Sequence, residues 1–223
     1  FGSSHLRQAS LGGNFLYLTI MLHRLATLRL GHRLASRNFT ANSVAPAEKY
    51  KLPVQVNHAI SGASVLGAVG TVLAAQQAGK GKFLGVDRGS WMFWHKSFGL
   101  LTGGLLVFRV GARLLSKAPA HLPGPAWIQR AGTATHLVLY AFTAVMAASG
   151  IRMGVTGGKG LPFFWTTFDS PPNAGDPAQA KQAFKVHKFV GYYGKFLIPA
   201  HMGGAGFHFF KGQTIFARIV PGL

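Results

Sequence analysis

Four apolar stretches long enough to cross a bilayer, at residues 54–79, 91–115, 131–155 and 186–210, decide what this chain can fold into. Inside lipid no water answers the backbone N–H and C=O groups, so spanning segments of this length must satisfy them internally, as α-helices. The first stretch, containing VNHAISGASVLGAVGTVLAA, carries no formal charge. The connections are short except the last, where Asp169, Pro171, Pro172, Gly175, Asp176 and Pro177 supply turn chemistry. Short connections make neighbours antiparallel, so the expected fold is all-α, a transmembrane up-down-up-down four-helix bundle without an internal repeat.

Composition closes off the soluble alternatives. With 48% hydrophobic and only 12% charged residues among 223, the chain is too apolar for disorder. Lys and Arg number 23 against four acids, a formal net charge of +19. Nucleic-acid binders share that balance but carry their bases on solvated faces, not between long apolar stretches, so no nucleic acid is expected as a partner. Cysteine is absent, which excludes disulfides, iron–sulfur clusters and thiolate metal sites and leaves His, Met or a cofactor for redox chemistry. Bases divide too evenly between the two sides of the bundle for the positive-inside rule to orient it.

Residues 1–50 differ from the body at 51–223. Arg24, Arg29, Arg33 and Arg37 recur near one helical turn apart among Leu22, Leu25, Leu28, Leu30 and Leu34, and no acid occurs before Glu48. An Arg-rich, Ser-containing, acid-free amphipathic start reads as a mitochondrial transit peptide, with Met21 as the expected translation start. The expected location is therefore the mitochondrial inner membrane. A plastid membrane is the alternative address, and a peripheral helix on an anionic membrane surface is the competing account of the segment.

Ionisable side chains within spans are expensive, so the histidines there need an explanation. If the helices alternate in direction, His58 and His201 fall at one level and His95 and His187 at the other. His187 and His201 are fourteen residues apart, roughly 21 Å of rise and about 40° short of whole turns, so they share nearly one helix face. Two neutral imidazoles facing each other across a bundle can take both axial positions of an iron porphyrin. Each proposed ligand has a small neighbour on its own face, namely Gly62, Gly99, Gly191 and Gly204, which leaves room for a flat macrocycle. His136 has no remaining partner at its depth and reads as a core or cofactor-edge hydrogen bonder, with a quinone contact as the alternative. His121 and His208 read as interfacial.

The segments WHKSFGLLTGGLLVFRVGARLL, ATHLVLYAFTAVMAASGIRMGVTGGKGLPFFW and VHKFVGYYGKFLIPAHMGGAGFHFFKGQTIFARIVPG resemble the bacterial type of the cytochrome b561 family, over roughly residues 52–222. The resemblance implies a four-helix membrane cytochrome with two haem b groups, passing electrons between a quinone and another donor or acceptor. Carried onto this sequence, its ligands are His58, His95, His187 and His201. Arg109, Arg113, Arg152, Lys96 and Lys188 are candidates to neutralise haem propionates, with interface anchoring as their other role.

Two departures from the family pattern stand out. His58 lies in NHAI, where an aromatic often follows the ligand, and Lys195 stands mid-span where an apolar residue is usual. Pro199 cannot donate to the Lys195 carbonyl and is expected to kink the fourth helix. A propionate, a lipid phosphate or a neighbouring subunit could each answer Lys195. Expected partners are therefore membrane lipid, a quinone, and a larger respiratory membrane complex or a homo-oligomer. The rival reading is a structural subunit of such a complex that keeps the fold, with or without one or both haems, and does not turn over. A transporter is disfavoured because the spans lack acids.

Overall fold

Prolines, glycines and two aspartates set where the helices begin and end. The computed structural model describes residues 48–115 and 119–223. The transit-peptide reading and the Met21 start therefore lie outside the described residues.

Helix α1, Leu52–Ala78, opens with proline in its first turn and stops at Gly79, whose φ of 52° only glycine adopts readily. A tight antiparallel hairpin follows, β1 Lys82–Phe83 and β2 Val86–Asp87, turning through Leu84 and Gly85, both at positive φ. The Asp87 carboxylate then accepts the Ser90 N–H at 3.0 Å and the Ser90 hydroxyl at 2.7 Å, starting α2, Arg88–Leu115. Helix α3, Ala126–Thr156, leads to a second hairpin, β3 Leu161–Phe163 and β4 Thr166–Phe168. Asp176 caps α4, Pro177–Gly194, by accepting the Gln179 N–H at 3.0 Å, and this donation holds its carboxyl below the usual carboxylate range. Helices α5, Leu197–Phe210, and α6, Ile215–Ile219, complete the chain.

Contacts between helices run in opposite senses. Asn57 reaches Leu105 while His95 reaches Ala68, so α1 and α2 are antiparallel. Gly103 packs on Ala147 and Arg109 bonds Tyr140, giving the same sense to α2 and α3. Gly191 meets Met146 and Gly194 meets Phe142, giving it to α3 and α4. A Cβ at Gly67 would lie within 3.0 Å of the Phe98 ring, so glycine is what lets α1 and α2 approach this closely. Both hairpins lie at one end of the helices, here the hairpin end. The opposite, terminal end carries α6 and the start of α1.

Two features depart from the expected fold. The chain is mostly helical but not all-α, because the 82–87 and 161–168 connections are short hairpins. The aromatic run in LPFFWTTF pairs with itself and bonds to α2, where the Ser97 hydroxyl accepts the Phe164 N–H at 2.9 Å. The second departure concerns the fourth span, where three helices, α1 to α3, are each long and apolar enough to cross a membrane, whereas residues 186–210 are divided between α4 and α5. The break falls at Lys195–Phe196, one turn before Pro199. The proline has no N–H for the Lys195 carbonyl, and its ring crowds that same carbonyl.

The interior is small and polar. Among the described residues the buried ones are four alanines, Ala74, Ala75, Ala78 and Ala183, with Gly160, Pro162 and Gly194, and the polar Gln55, Asn57, Ser64, Thr71, Ser97, Thr102, Ser149 and Arg218. Large apolar side chains such as Val107, Leu114, Leu137, Phe189 and Phe210 face outward, the arrangement expected where the solvent is lipid. The hydroxyls of Ser64, Thr71, Thr102 and Ser149 donate one turn back to their own helix, so no polar group is stranded at depth.

Arg218 closes the terminal end. It is 8% exposed, its guanidinium donates to the carbonyls of Glu48 and Ala120, and its own carbonyl accepts from Tyr50 N and Gln55 Nε2, both at 3.1 Å. Arg218→Ala is expected to cost about 2 kcal/mol through the lost charge-assisted bonds, read as a lowered thermal midpoint in detergent. Arg218→Lys should recover part of the loss.

Candidate functional site

An imidazole binds a metal through one ring nitrogen while the other is held by a hydrogen bond, so orientation is half of the site. His95, half-buried on α2, has Nδ1 at 2.8 Å from the carbonyl of Ala68 on α1. That bond places the proton on Nδ1 and frees Nε2. His187 on α4 has Nδ1 at 2.9 Å from the Ser149 hydroxyl of α3. Ser149 directs its own proton to the Val145 carbonyl at 2.6 Å, so its oxygen accepts from His187 and again Nε2 is free. The two rings face each other with centroids 6.1 Å apart. At the other level His58 on α1 and His201 on α5 lie 6.3 Å apart.

These separations fit a bis-imidazole metal. Two nitrogen–metal bonds of about 2 Å, plus roughly 1 Å from each nitrogen back to its ring centre, sum to about 6 Å. Ordinary ring pairs such as Trp94 and Phe98, at 6.3 Å, reach the same separation, so what singles out the histidine pairs is that each joins two helices far apart in sequence and that the spacing repeats at two levels. Helices α1 and α2 pack on each other, as do α3 and α4, but α1 does not pack closely on α4 or α5. Protein interiors are filled to near-crystal density, and here no large apolar side chain is buried between the two pairs of helices. The glycine positions agree: a Cβ at Gly62, Gly99 or Gly204 would meet nothing within 4 Å. Gly191 differs, because a Cβ there would press on the Met146 methyl at 3.1 Å. It serves the α3–α4 contact and leaves no space beside the ligand. The residues present therefore fit two flat groups held edge-on, one per histidine pair.

The structure corrects the account of His136. Its ring lies 5.1 Å from that of His201, edge to face, with Nδ1 at 2.9 Å from the Gly132 carbonyl. Helix α3 enters at the terminal end, where α5 finishes, so a residue ten positions into α3 is level with His201. Three imidazoles thus share that level, yet among the described residues no three converge on one metal position. A centroid spacing of 5.1 Å is too short for a shared axial pair, which leaves His58 as the partner of His201.

The candidate bases separate by environment. Arg109 is half-buried and its Nε donates to the Tyr140 hydroxyl at 3.2 Å. Arg113 is exposed at the same end. Arg152 is exposed at the hairpin end and donates to Gln179 Oε1 at 2.9 Å, so it braces the start of α4. Lys96 is half-buried and Lys188 exposed. Of the five, Arg109 and Lys96 are half-buried, one at each end of α2, and the other three are exposed. His208 bonds Gln213 at the terminal end.

Sequence reasoning passed over Ser149 and Ala68, which orient the hairpin-end ligands, and Ser97, the fully buried anchor of the second hairpin two residues from His95. Ser149 could have been found: one helix carries no signal, but a serine level with His187 on an antiparallel neighbour does. The Ala68 contact is a backbone one and leaves no trace in residue type.

Comparison with known proteins agrees with this geometry. A family model described as prokaryotic cytochrome b561 matches residues 49–222. Cytochrome b561 homolog 1 of Escherichia coli (strain K12) is 32% identical over 131 residues, covering 57% of this chain and 73% of that protein.

Ser149→Ala keeps the helix and removes the hydroxyl that His187 donates to. The expected result is roughly tenfold weaker cofactor retention at the hairpin-end pair, measured as loss of b-type absorbance on dilution into apo-myoglobin, with the terminal-end site unaffected.

Proposed function

The chain belongs to the prokaryotic cytochrome b561 family, whose members bind haem b and transfer electrons in a membrane, and on that premise we propose that it holds two haem b groups and passes electrons across the bilayer between a quinone and a second redox partner. The observation that carries this reading is the repeated spacing of 6.1 and 6.3 Å in two histidine pairs at opposite ends of the helices. Bound haem b supplies a one-electron iron couple that both axial imidazoles accompany unchanged.

The remaining work falls to the protein. His95 and His187 hold the hairpin-end group with rings locked by Ala68 and Ser149. His58 and His201 would hold the terminal-end group, and Arg109, at that end of the bundle and bonded to Tyr140, is the candidate cation for a propionate carboxylate. The hairpins shield the hairpin end, with Ser97 fastening β3–β4 to the ligand-bearing helix. Helices α4 and α5 together serve as the fourth crossing, which puts both pairs in an up-down-up-down bundle.

The proposed setting is an electron-transport membrane, with lipid around the outward apolar side chains and a larger respiratory complex or further copies as neighbours. A mitochondrial address rests on the Arg-rich leader alone, and a prokaryotic family fits it poorly. The structural-subunit alternative is not favoured, since the family the chain belongs to is one of electron-transfer proteins; reduction by a quinol separates the two.

Reduced-minus-oxidised absorbance of the purified chain should show about two b-type haems per polypeptide, reducible by a quinol. His95→Ala and His187→Ala should each remove the same haem, and His58→Ala and His201→Ala the other. Loss of different haems within a pair would overturn the assignment, and absence of any b-type signal would overturn the function.

A further inference from the structure

We propose that Lys195 is a fixed cation between the two haem levels and raises the reduction potential of both. This rests on the two-haem reading above but makes a separate claim about this chain's own charge distribution.

Lys195 sits in the break between α4 and α5, eight residues after His187 and six before His201. At helical rise that is about 12 Å along the axis from one ligand and about 9 Å from the other. The ammonium group lies 4.8 Å from the centroid of the Tyr192 ring and 5.1 Å from that of Phe196. Two ring faces stabilise a cation where a carboxylate would otherwise be needed.

No carboxylate of this chain can reach it. The sequence has four acids, Glu48, Asp87, Asp169 and Asp176, all outside the spans, and Asp87 and Asp176 already cap helices. From near the middle of a crossing, the side chain is too short to carry its charge to the membrane surface.

An uncompensated positive charge in a low-dielectric medium acts over such distances with little screening. Reduction adds one electron to iron and lowers the positive charge of the site, so a nearby cation favours the reduced form. Lys195 lies between the levels and therefore biases both in the same direction. It is a tuning residue and touches neither ligand pair.

The test is a redox titration of the purified, haem-loaded full chain followed by its b-type absorbance, comparing wild type with Lys195→Met, Lys195→Gln and Lys195→Arg. Haem content is measured first for each variant. Both neutral variants should retain two haems and lower both midpoint potentials. At a fixed ambient potential the expected drop in reduced over oxidised haem is roughly fivefold. Lys195→Arg should stay at the wild-type values, which a purely structural role would not predict. Unmoved or raised potentials in a neutral variant that keeps two haems would overturn the proposal, and a shift confined to one haem would overturn the shared position between them. If one neutral variant fails to assemble, the other carries the measurement. A wild-type chain with fewer than two haems would instead count against the two-haem reading.

Discussion

Two imidazoles can share a metal only if something holds their rings about 6 Å apart and aimed at one point. In the proposed reading the rest of this structure serves that requirement at two levels, one for each histidine pair. Helices α1 and α2 form one antiparallel unit and α3 with α4–α5 another, and each histidine pair takes one ring from each unit. Close packing, through Gly67 against Phe98 and Gly194 against Phe142, holds each unit together, and α2 on α3, through Gly103 against Ala147, joins the two. Hydrogen bonds within each unit, from His95 to Ala68 and from His187 to Ser149, then set ring orientation. Neither unit contains both rings of any pair, so the cofactors are expected to join the halves.

Lipid as the solvent explains what would look wrong in a water-soluble protein. Leucines and phenylalanines face outward, while serines, threonines and alanines lie inside. A soluble bundle drives its helices together by burying large apolar side chains, and this one has none buried among the described residues. Its cohesion comes from close backbone approach and internally satisfied hydroxyls. At the terminal end, where water returns, polar closure takes over: Arg218 joins the chain's last helix to Glu48 and Ala120.

Much of this is legible in the residues. Span length and hydropathy mark α1 to α3, and helical periodicity with alternating direction pairs the four ligands. Gly62, Gly99 and Gly204 do have open space beside them, but so do Gly70, Gly104 and Gly203, so the space permits a macrocycle without marking its place. Three things were harder to read. Gly191 looks like its counterparts in sequence, but whether a glycine borders a cofactor or a helix depends on the side chain opposite, here Met146. His136 was set aside for lack of a free partner, although an edge-on ring can share a level without sharing a metal. Pro199 marks the break in the fourth span and, through the Lys195 carbonyl it cannot bond, also its place, although a kink and not a division into two helices is what the sequence suggests. The hairpins escaped notice because strands of two or three residues have no periodicity to detect.

The most direct test is to locate iron. Anomalous scattering at the iron edge, from crystals of the purified chain, should give two peaks per molecule, one midway between His58 and His201 and one midway between His95 and His187. A single peak, or peaks away from these midpoints with lipid or side chains filling the gaps, would contradict the account.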